Sequence, residues 1–441
     1  MSDTIYALAS ASGRAGVAVW RLSGERAGEA LRALTGKDLP EPRKASRARI
    51  RDASGEAIDD GLVLWFAAPS SFTGEDVAEL HLHGGRAVAA ALTRRLGELG
   101  LRPAEPGEFS RRAFLNGKLD LTRAEAIADL VDAETAAQQR QALRQLDGGL
   151  AGLVEEWRAG LIRAMAHLEA VIDFADEDIP DTLAEQSVAE VRALKAEMAG
   201  HLDERRSGER LRDGIHIAIL GAPNAGKSSL LNRLAGREAA IVSAQAGTTR
   251  DVIEVHLDLD GWPVIVADTA GLRESTCEIE SEGVRRAAAR AAGADLKLCV
   301  FDGSLHPDLD AATLEMIDDA TLVVLNKRDL MAGEVPAVIN GRPVLALSAK
   351  RGEGVDQLVA ALAETVEHRF AVGAAPVLTR ERHRVAVAEA VDSLARFDPA
   401  MGIEMAAEDL RLAARSLGRI TGRVDVDEIL DVIFHEFCIG K

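Results

Sequence analysis

At 441 residues the chain is long enough for about two to four domains, each with its own core. Its 47% hydrophobic content is that of a globular protein, and three scattered cysteines (Cys277, Cys299, Cys438) exclude a disulfide framework or a zinc cluster. A net charge of −19 excludes a generic nucleic-acid binder, which gains affinity from Lys and Arg that neutralise phosphates.

No apolar run reaches the length of a membrane span. The N-terminal MSDTIYALAS has neither a basic region nor a long apolar stretch, so neither membrane association nor a signal peptide is expected. A reducing cytoplasm is the consistent compartment. Charge is uneven along the chain: residues 1–118 carry 17 Lys and Arg against 15 Asp and Glu, a net of +2, which leaves −21 on the rest. An RNA substrate is therefore expected at a local patch or through a partner.

Taken in order, residues 1–118 alternate strands (Thr4 to Ala9, Val17 to Leu22, Leu62 to Phe66, Val77 to Leu82) with helices (Gly24 to Leu34, Arg86 to Leu99). Strand pairs precede helices, which predicts a small α+β domain. The Gly turns at 12–16 and 83–85 read as ordinary turn chemistry. From Leu119 the pattern becomes helical. Thr122 and Glu125 read as a capping box opening a helix to about Leu146. Trp157, Leu161, Met165, Leu168 and Ile172 follow helical spacing and read as core. The acidic Asp173 to Asp181 reads as a solvated linker rather than a metal site, and another helix is expected from about Leu183 to Arg206.

A phosphate-loop pattern, GAPNAGKS, occupies Gly221 to Ser228, after the apolar strand Ile215 to Leu220 and before a helix opening at Ser229 to Leu234. Glycine lets the backbone approach phosphate oxygens closely, and the N–H groups of Asn224, Ala225, Gly226 and Ser229 belong to the cradle. Lys227 is placed to reach the outer phosphates and the Ser228 hydroxyl to hold Mg²⁺. Three later motifs follow in the expected order. Asp268-Thr269-Ala270-Gly271 ends the strand Val264 to Ala267, where an Mg²⁺-linked carboxylate and a γ-phosphate-sensing glycine belong. Asn326-Lys327-Arg328-Asp329 ends the strand Leu322 to Leu325; an Asp there accepts both N–H donors of a guanine edge, an arrangement adenine lacks. Ser348-Ala349-Lys350 follows the strand Val344 to Leu347 and backs the base. Thr249, in Thr248-Thr249-Arg250-Asp251, is the second Mg²⁺ hydroxyl, on a loop that orders with γ-phosphate. Together these predict a domain that binds guanine nucleotides. Leu272 stands where Ras-like enzymes place the Gln that orients the attacking water, so either hydrolysis is slow or another group acts; Glu274, Glu278, Glu280 and Glu282 are candidates.

The nucleotide domain is expected to end near Arg369, with helices resuming over Thr379 to Phe397, Met405 to Leu417 and Val426 to Phe437. The predicted organisation is therefore multidomain. An N-terminal α+β domain (1–118) is followed by an all-α helical domain in two parts (119–212 and 373–441). An α/β phosphate-loop GTPase domain of Ras-like type (213–372) is inserted between those parts. The last four residues read Cys438-Ile439-Gly440-Lys441.

Several segments carry a resemblance to the MnmE/TrmE family of tRNA-modification GTPases. They are the terminal CIGK, the FTGED segment Phe72 to Asp76, the RAFLNGKLDL run from Arg112 and the TTRD loop. The resemblance implies formation of a carboxymethylaminomethyl-type group at the 5-position of wobble uridine in certain tRNAs. It implies an FAD-containing partner of the MnmG/GidA type and a one-carbon tetrahydrofolate. It also implies homodimerisation through the N-terminal domain, and K⁺-dependent pairing of the GTPase domains during hydrolysis. By the same resemblance, K⁺ falls to Asn224, Ser243, Gln245 and Thr248, within a nucleotide-contacting loop that includes Ala244, Ala246 and Gly247. Mg²⁺ falls to Ser228 and Thr249, water orientation to Glu280, and folate to Arg21, Glu79, Lys118 and Lys441. Cys438 becomes a functional thiol. A regulatory GTPase of ribosome assembly is the alternative; the single phosphate loop and acidic flanks weigh against it.

Overall fold

A computed structural model describes residues 3–173, 182–203, 206–237, 239–241, 254–268, 293–331, 333–370, 377–424, 427–435 and 437–440. The chain divides into two compact units. One is built from Met1–Val131, Arg144–Leu194 and Glu389–Lys441, the other from Asp132–Leu143 and Lys195–Ala388.

The first unit holds a six-stranded sheet of β1 (Ile5–Leu8), β2 (Ala15–Ser23), β3 (Ser46–Arg51), β4 (Ala57–Phe66), β5 (Val77–Gly84) and β6 (Arg102–Pro103), in the order β3-β4-β5-β2-β1-β6. All pairings are antiparallel except that of β1 with β6. Side chains alternate between faces. Trp20, Leu22, Ile50, Val63, Trp65, Leu80 and Leu82 share one core with Leu31, Leu34, Leu92 and Leu96 of the helices Ala27–Thr35 and Arg86–Glu98. The residues between them in the strands, Arg21, Glu79 and His81 among them, therefore occupy the opposite face. The expected α+β domain is found. The edge strand β3 was not anticipated; its Arg47, Arg49 and Arg51 hide a plain alternation with buried Ala48 and Ile50.

The helical part of this unit contains Gly149–Asp173, along which Ile403–Thr421 packs. Trp157, Leu161 and Leu168 are fully buried there, as their spacing predicts. A further core joins Leu121 and Ala124 to Leu430, Ile433, Phe434 and Phe437 of the C-terminal segment.

One helix expected from Thr122 to Leu146 is two: Leu121–Asp132 and Ala136–Leu146. Asp120, not Thr122, caps the first. Its Oδ1 accepts from the Arg123 amide at 3.0 Å and from the Thr122 hydroxyl at 2.6 Å. The reciprocal capping box opens the second helix, where the Thr135 amide donates to Gln138 Oε1 (3.0 Å) and the Gln138 amide to Thr135 Oγ1 (3.3 Å).

The second unit holds a seven-stranded sheet: β7 (Ile215–Leu220), β8 (Glu254–Leu259), β9 (Trp262–Asp268), β10 (Leu296–Asp302), β11 (Thr321–Asn326), β12 (Val338–Ile339) and β13 (Arg342–Ala346). Its order is β12-β13-β11-β10-β7-β9-β8. Five central strands run parallel and the two edges are antiparallel. Parallel strands are covered on both faces, and β7 and β10 obey this. Ile215, Ile217, Ile219, Leu296, Leu298 and Val300 pack with helices Lys227–Ala235 and Val355–Phe370; Ala218, Leu220, Cys299 and Phe301 join a second core on the other side. The chain thus combines an α+β domain, helices and an α/β phosphate-loop domain. No helix among the described residues is long and apolar enough to cross a membrane.

Candidate functional site

The loop after β7 has the shape a phosphate requires. Gly221 has φ +154°, and a Cβ there would lie 2.3 Å from the Val300 carbonyl oxygen. Gly226 has φ +95°, and its Cβ would meet Asn326 Nδ2 at 2.1 Å. No side chain fits at either position, so the backbone itself lines the loop. Gly226 is also the N-cap of Lys227–Ala235, so no side chain from the cap residue covers the first-turn amides. Asn224 is exposed with φ +64°, and Ser228 and Ser229 are exposed on the first turn. Ala225 is buried. Lys227 is buried and its Nζ donates to the carbonyls of Gly221 (2.8 Å) and Ala222 (2.9 Å), which holds the ammonium over the loop.

The residues expected to select guanine converge on the same loop. Asn326 ends β11 and is buried. Its Nδ2 donates to the Ala225 carbonyl at 2.8 Å, and its Oδ1 accepts from the Ala349 amide at 3.0 Å. One side chain thereby joins the phosphate loop to Ser348-Ala349-Lys350. Lys327 is left-handed (φ +57°) and its Nζ reaches Asp302 Oδ2 at 2.5 Å. Arg328 N–H donates to the Leu347 carbonyl at 3.0 Å, drawing the two loops together. A hydrogen bond from buried Ser348, with Arg351 nearby at 3.5 Å, holds the Asp329 carboxyl below the usual carboxylate range. It is therefore an anion at neutral pH, as an acceptor of two guanine N–H groups must be. Burial pushes the Asp302 carboxyl up, but bonds from Lys327 and Ser304 outweigh it and leave the net shift downward.

Some contributors were not anticipated from sequence. Asp302 is one; Arg233 is another. The Arg233 Nε donates to the Ala349 carbonyl (3.2 Å) and its Nη2 to that of Lys350 (2.8 Å), so the phosphate-loop helix carries the base-backing loop. Their only trace in the sequence is an Asp at a strand end and an Arg on a helix.

In the other unit, β2 and β5 place Arg21 directly opposite Glu79. Arg21 donates to Glu79 Oε1 from Nε (3.1 Å) and Nη2 (3.0 Å) and stacks over the rings of Phe72 and Phe109. Lys118 is exposed, with its stem against Gly74, whose missing side chain leaves the room. The FTGED segment is locked from beneath. Buried Thr73 meets Ser23 Oγ at 2.7 Å, Asn116 donates to the Thr73 carbonyl at 2.7 Å, and Arg112 bridges Glu75 (3.0 Å), Glu108 (2.9 Å) and Asp3 (2.9 Å). The FTGED and RAFLNGK runs thus meet in space.

The C-terminal segment comes to this sheet as well. Ile439 bridges Pro106, the Gly107 amide faces the Cys438 carbonyl at 3.5 Å, and a Cβ on Gly440 would lie 2.4 Å from the Leu8 carbonyl. In β1 the neighbouring Ala7 pairs with Arg21. Exposed Cys438 therefore belongs to the segment that packs at the Leu8 end of β1.

Asp268 ends β9, paired with Ile219 of β7 just before the phosphate loop. Ser243, Ala244, Gln245, Ala246, Gly247, Thr248, Thr249, Thr269, Ala270, Gly271, Leu272, Glu274, Glu278, Glu280, Glu282 and Lys441 lie outside the described residues.

Comparison with known proteins agrees across the whole chain. The family model described as "GTP-binding protein TrmE N-terminus" matches residues 4–118, and that of the "MnmE helical domain" matches 121–438. The tRNA modification GTPase MnmE of Paramagnetospirillum magneticum is 86% identical over 441 residues, covering 100% of both chains. The proteins of the same name from Parvibaculum lavamentivorans and Rhodospirillum rubrum are 58% identical over 445 residues and 57% over 453, covering 100% of this chain and 100% and 99% of theirs. The chain belongs to the MnmE/TrmE family.

Proposed function

We propose that this protein hydrolyses GTP to drive modification of tRNA, forming a carboxymethylaminomethyl-type group at C5 of the wobble uridine with an FAD-containing partner of the MnmG/GidA type. The observation that carries the GTPase half is Asn326, whose single buried side chain ties the phosphate loop to the guanine-backing loop. The tRNA half rests on full-length similarity to relatives named tRNA modification GTPases.

In this reading Lys227 and the amides of Asn224 to Ser229 bind the phosphates. Asp329 selects guanine, and Lys327, Arg328, Ser348, Ala349 and Lys350 frame the base. Ser228 is exposed on the helix's first turn and fits an Mg²⁺ ligand, with Thr249 as the second; the ion would neutralise charge on the phosphates. Asn224, Ser243, Gln245 and Thr248 would hold K⁺, and Glu280 would orient the water that Leu272 cannot. Arg21, Glu79, Lys118 and Lys441 would take a tetrahydrofolate derivative; the Arg21–Glu79 pair and the packing of the C-terminal segment at the Leu8 end of β1 support this. Domains 1–118, 119–212 with 373–441, and 213–372 would serve folate binding with homodimerisation, the modification site, and GTP hydrolysis respectively.

Steady-state GTP hydrolysis in matched KCl and NaCl tests the reading. Strong activation by K⁺ alone, lost in Lys227→Ala, is the expected result. Equal rates in both salts would remove the cation from the site and leave Leu272 uncompensated.

A further inference from the structure

The helical part of the first unit contains a cavity of about 310 Å³ at the start of the 25-residue helix Gly149–Asp173. Its lining includes Arg123 and Arg423, the carboxylates Asp120 and Glu155, Gly152 and Thr421. Gly148, at φ +97°, precedes the helix and has no side chain with which to cap it. The Gly152 amide is the first to find a carbonyl, that of Gly148 at 2.8 Å. The amides of residues 149–151 have no acceptor within the helix, and this end carries its positive dipole. A Cβ on Gly152 would touch nothing within 4 Å, so the approach is open.

A second observation is independent of the helix end. Thr421 is only 7% exposed and its hydroxyl has no hydrogen-bond partner. The buried Nε of Arg123 makes no hydrogen bond either, its nearest carboxylate oxygen, Asp120 Oδ2, standing 3.5 Å away. Burying such donors unpaired is costly, so an acceptor belongs there. The two carboxylates of the lining face these same guanidinium groups, Asp120 Oδ2 lying 3.5 Å from Arg123 Nε. Asp120 caps its own helix through the Thr122 hydroxyl and the Arg123 amide. Glu155 lies 3.3 Å from Arg423 and 3.7 Å from Arg158. A cation would find both carboxylates already facing arginines, whereas an oxyanion would find orphan amides and a hydroxyl, and would share the two guanidinium groups with Asp120 and Glu155.

We propose that this cavity binds a phosphate group at a site distinct from the nucleotide loop. The group is either a free phosphate or a backbone phosphodiester of tRNA. Amides at the helix start and the Thr421 hydroxyl take its oxygens, and Arg123 and Arg423 close over it as bidentate partners.

The test uses the full chain loaded with GDP, so that the phosphate loop is filled. Inorganic phosphate is titrated while amide hydrogen exchange is followed over residues 148–152, and tRNA affinity is measured in parallel. Protection of those amides, with about tenfold or greater weakening in Arg123→Gln/Arg423→Gln, is expected. Loss of tRNA affinity in the same variant assigns the site to a phosphodiester; unchanged tRNA affinity assigns it to free phosphate. Ala151→Asp guards against a folding artefact. It places a carboxylate where the helix dipole favours one, so its melting temperature should hold or rise while phosphate binding disappears. Absence of protection in the wild type, or phosphate affinity unchanged in both variants, overturns the proposal.

Discussion

Asn326 concentrates more of the nucleotide site than any neighbouring residue. Removing its amide leaves the Ala225 carbonyl and the Ala349 amide unsatisfied in a buried setting. Asn326→Ala should therefore cost about 2–3 kcal/mol of stability and weaken guanine nucleotide at least about tenfold. A fluorescent-nucleotide titration beside a thermal melt checks both. Asp302 makes a prediction in pH. Its carboxyl is lowered in the folded protein, so its stabilisation is complete above the unfolded value of about 3.9 and lost as pH falls through the lower folded value. Asp302→Asn should flatten that acid limb in a series of melts; parallel curves for wild type and variant would show the ion pair to be inert. The phosphate loop and Asn326 to Asp329 were legible in the sequence because phosphate and guanine dictate residue type and spacing locally. Asp302 and Arg233 were not, because their partners stand 25 and 116 residues away and only the fold introduces them.

At the scale of elements, glycines reveal what packing adds to backbone strain. Gly422 ends the helix Ile403–Thr421 in the left-handed region, and a Cβ there would lie 2.7 Å from Phe114 and 2.8 Å from Leu121. Gly36 ends Ala27–Thr35 in the same region with nothing within 4 Å. Gly36→Ala should cost about 1 kcal/mol, the strain alone, while Gly422→Ala should cost about 2–4 kcal/mol because packing is added. Denaturant melts that give equal losses would contradict the difference. Long helices were readable from their periodicity, and their ends less so. Thr122 and Glu125 have the spacing of a capping box, yet Asp120 lies closer to the first free amides and wins. The true box at Thr135 and Gln138 sits inside what periodicity reads as one continuous helix. Strands β3 and β8 escaped notice because charged residues on one face interrupt the apolar signal of the other.

For the molecule as a whole, the division into units separates the nucleotide-binding motifs from Cys438. The phosphate and guanine motifs lie within Lys195–Ala388, and Cys438 within Glu389–Lys441. Cys438→Ser should leave GTP hydrolysis unchanged and abolish wobble-uridine modification, read by nucleoside chromatography of tRNA from a strain carrying the change. A normal modification level there would remove the thiol from the reaction. The meeting of the C-terminal segment with the first sheet also bears on how the chain is made. Strand β1 at Ile5–Leu8 is synthesised long before Gly440, which packs on its end. The amino-terminal sheet can assemble early on the ribosome, with β1 already between β2 and β6, but the contact at Leu8 waits through translation of everything between. Contacts so distant in sequence are slow to form. The closing contact is thus a late step of folding: chains lacking Ile439 and Gly440 should be held by chaperones and cleared faster than chains that carry them.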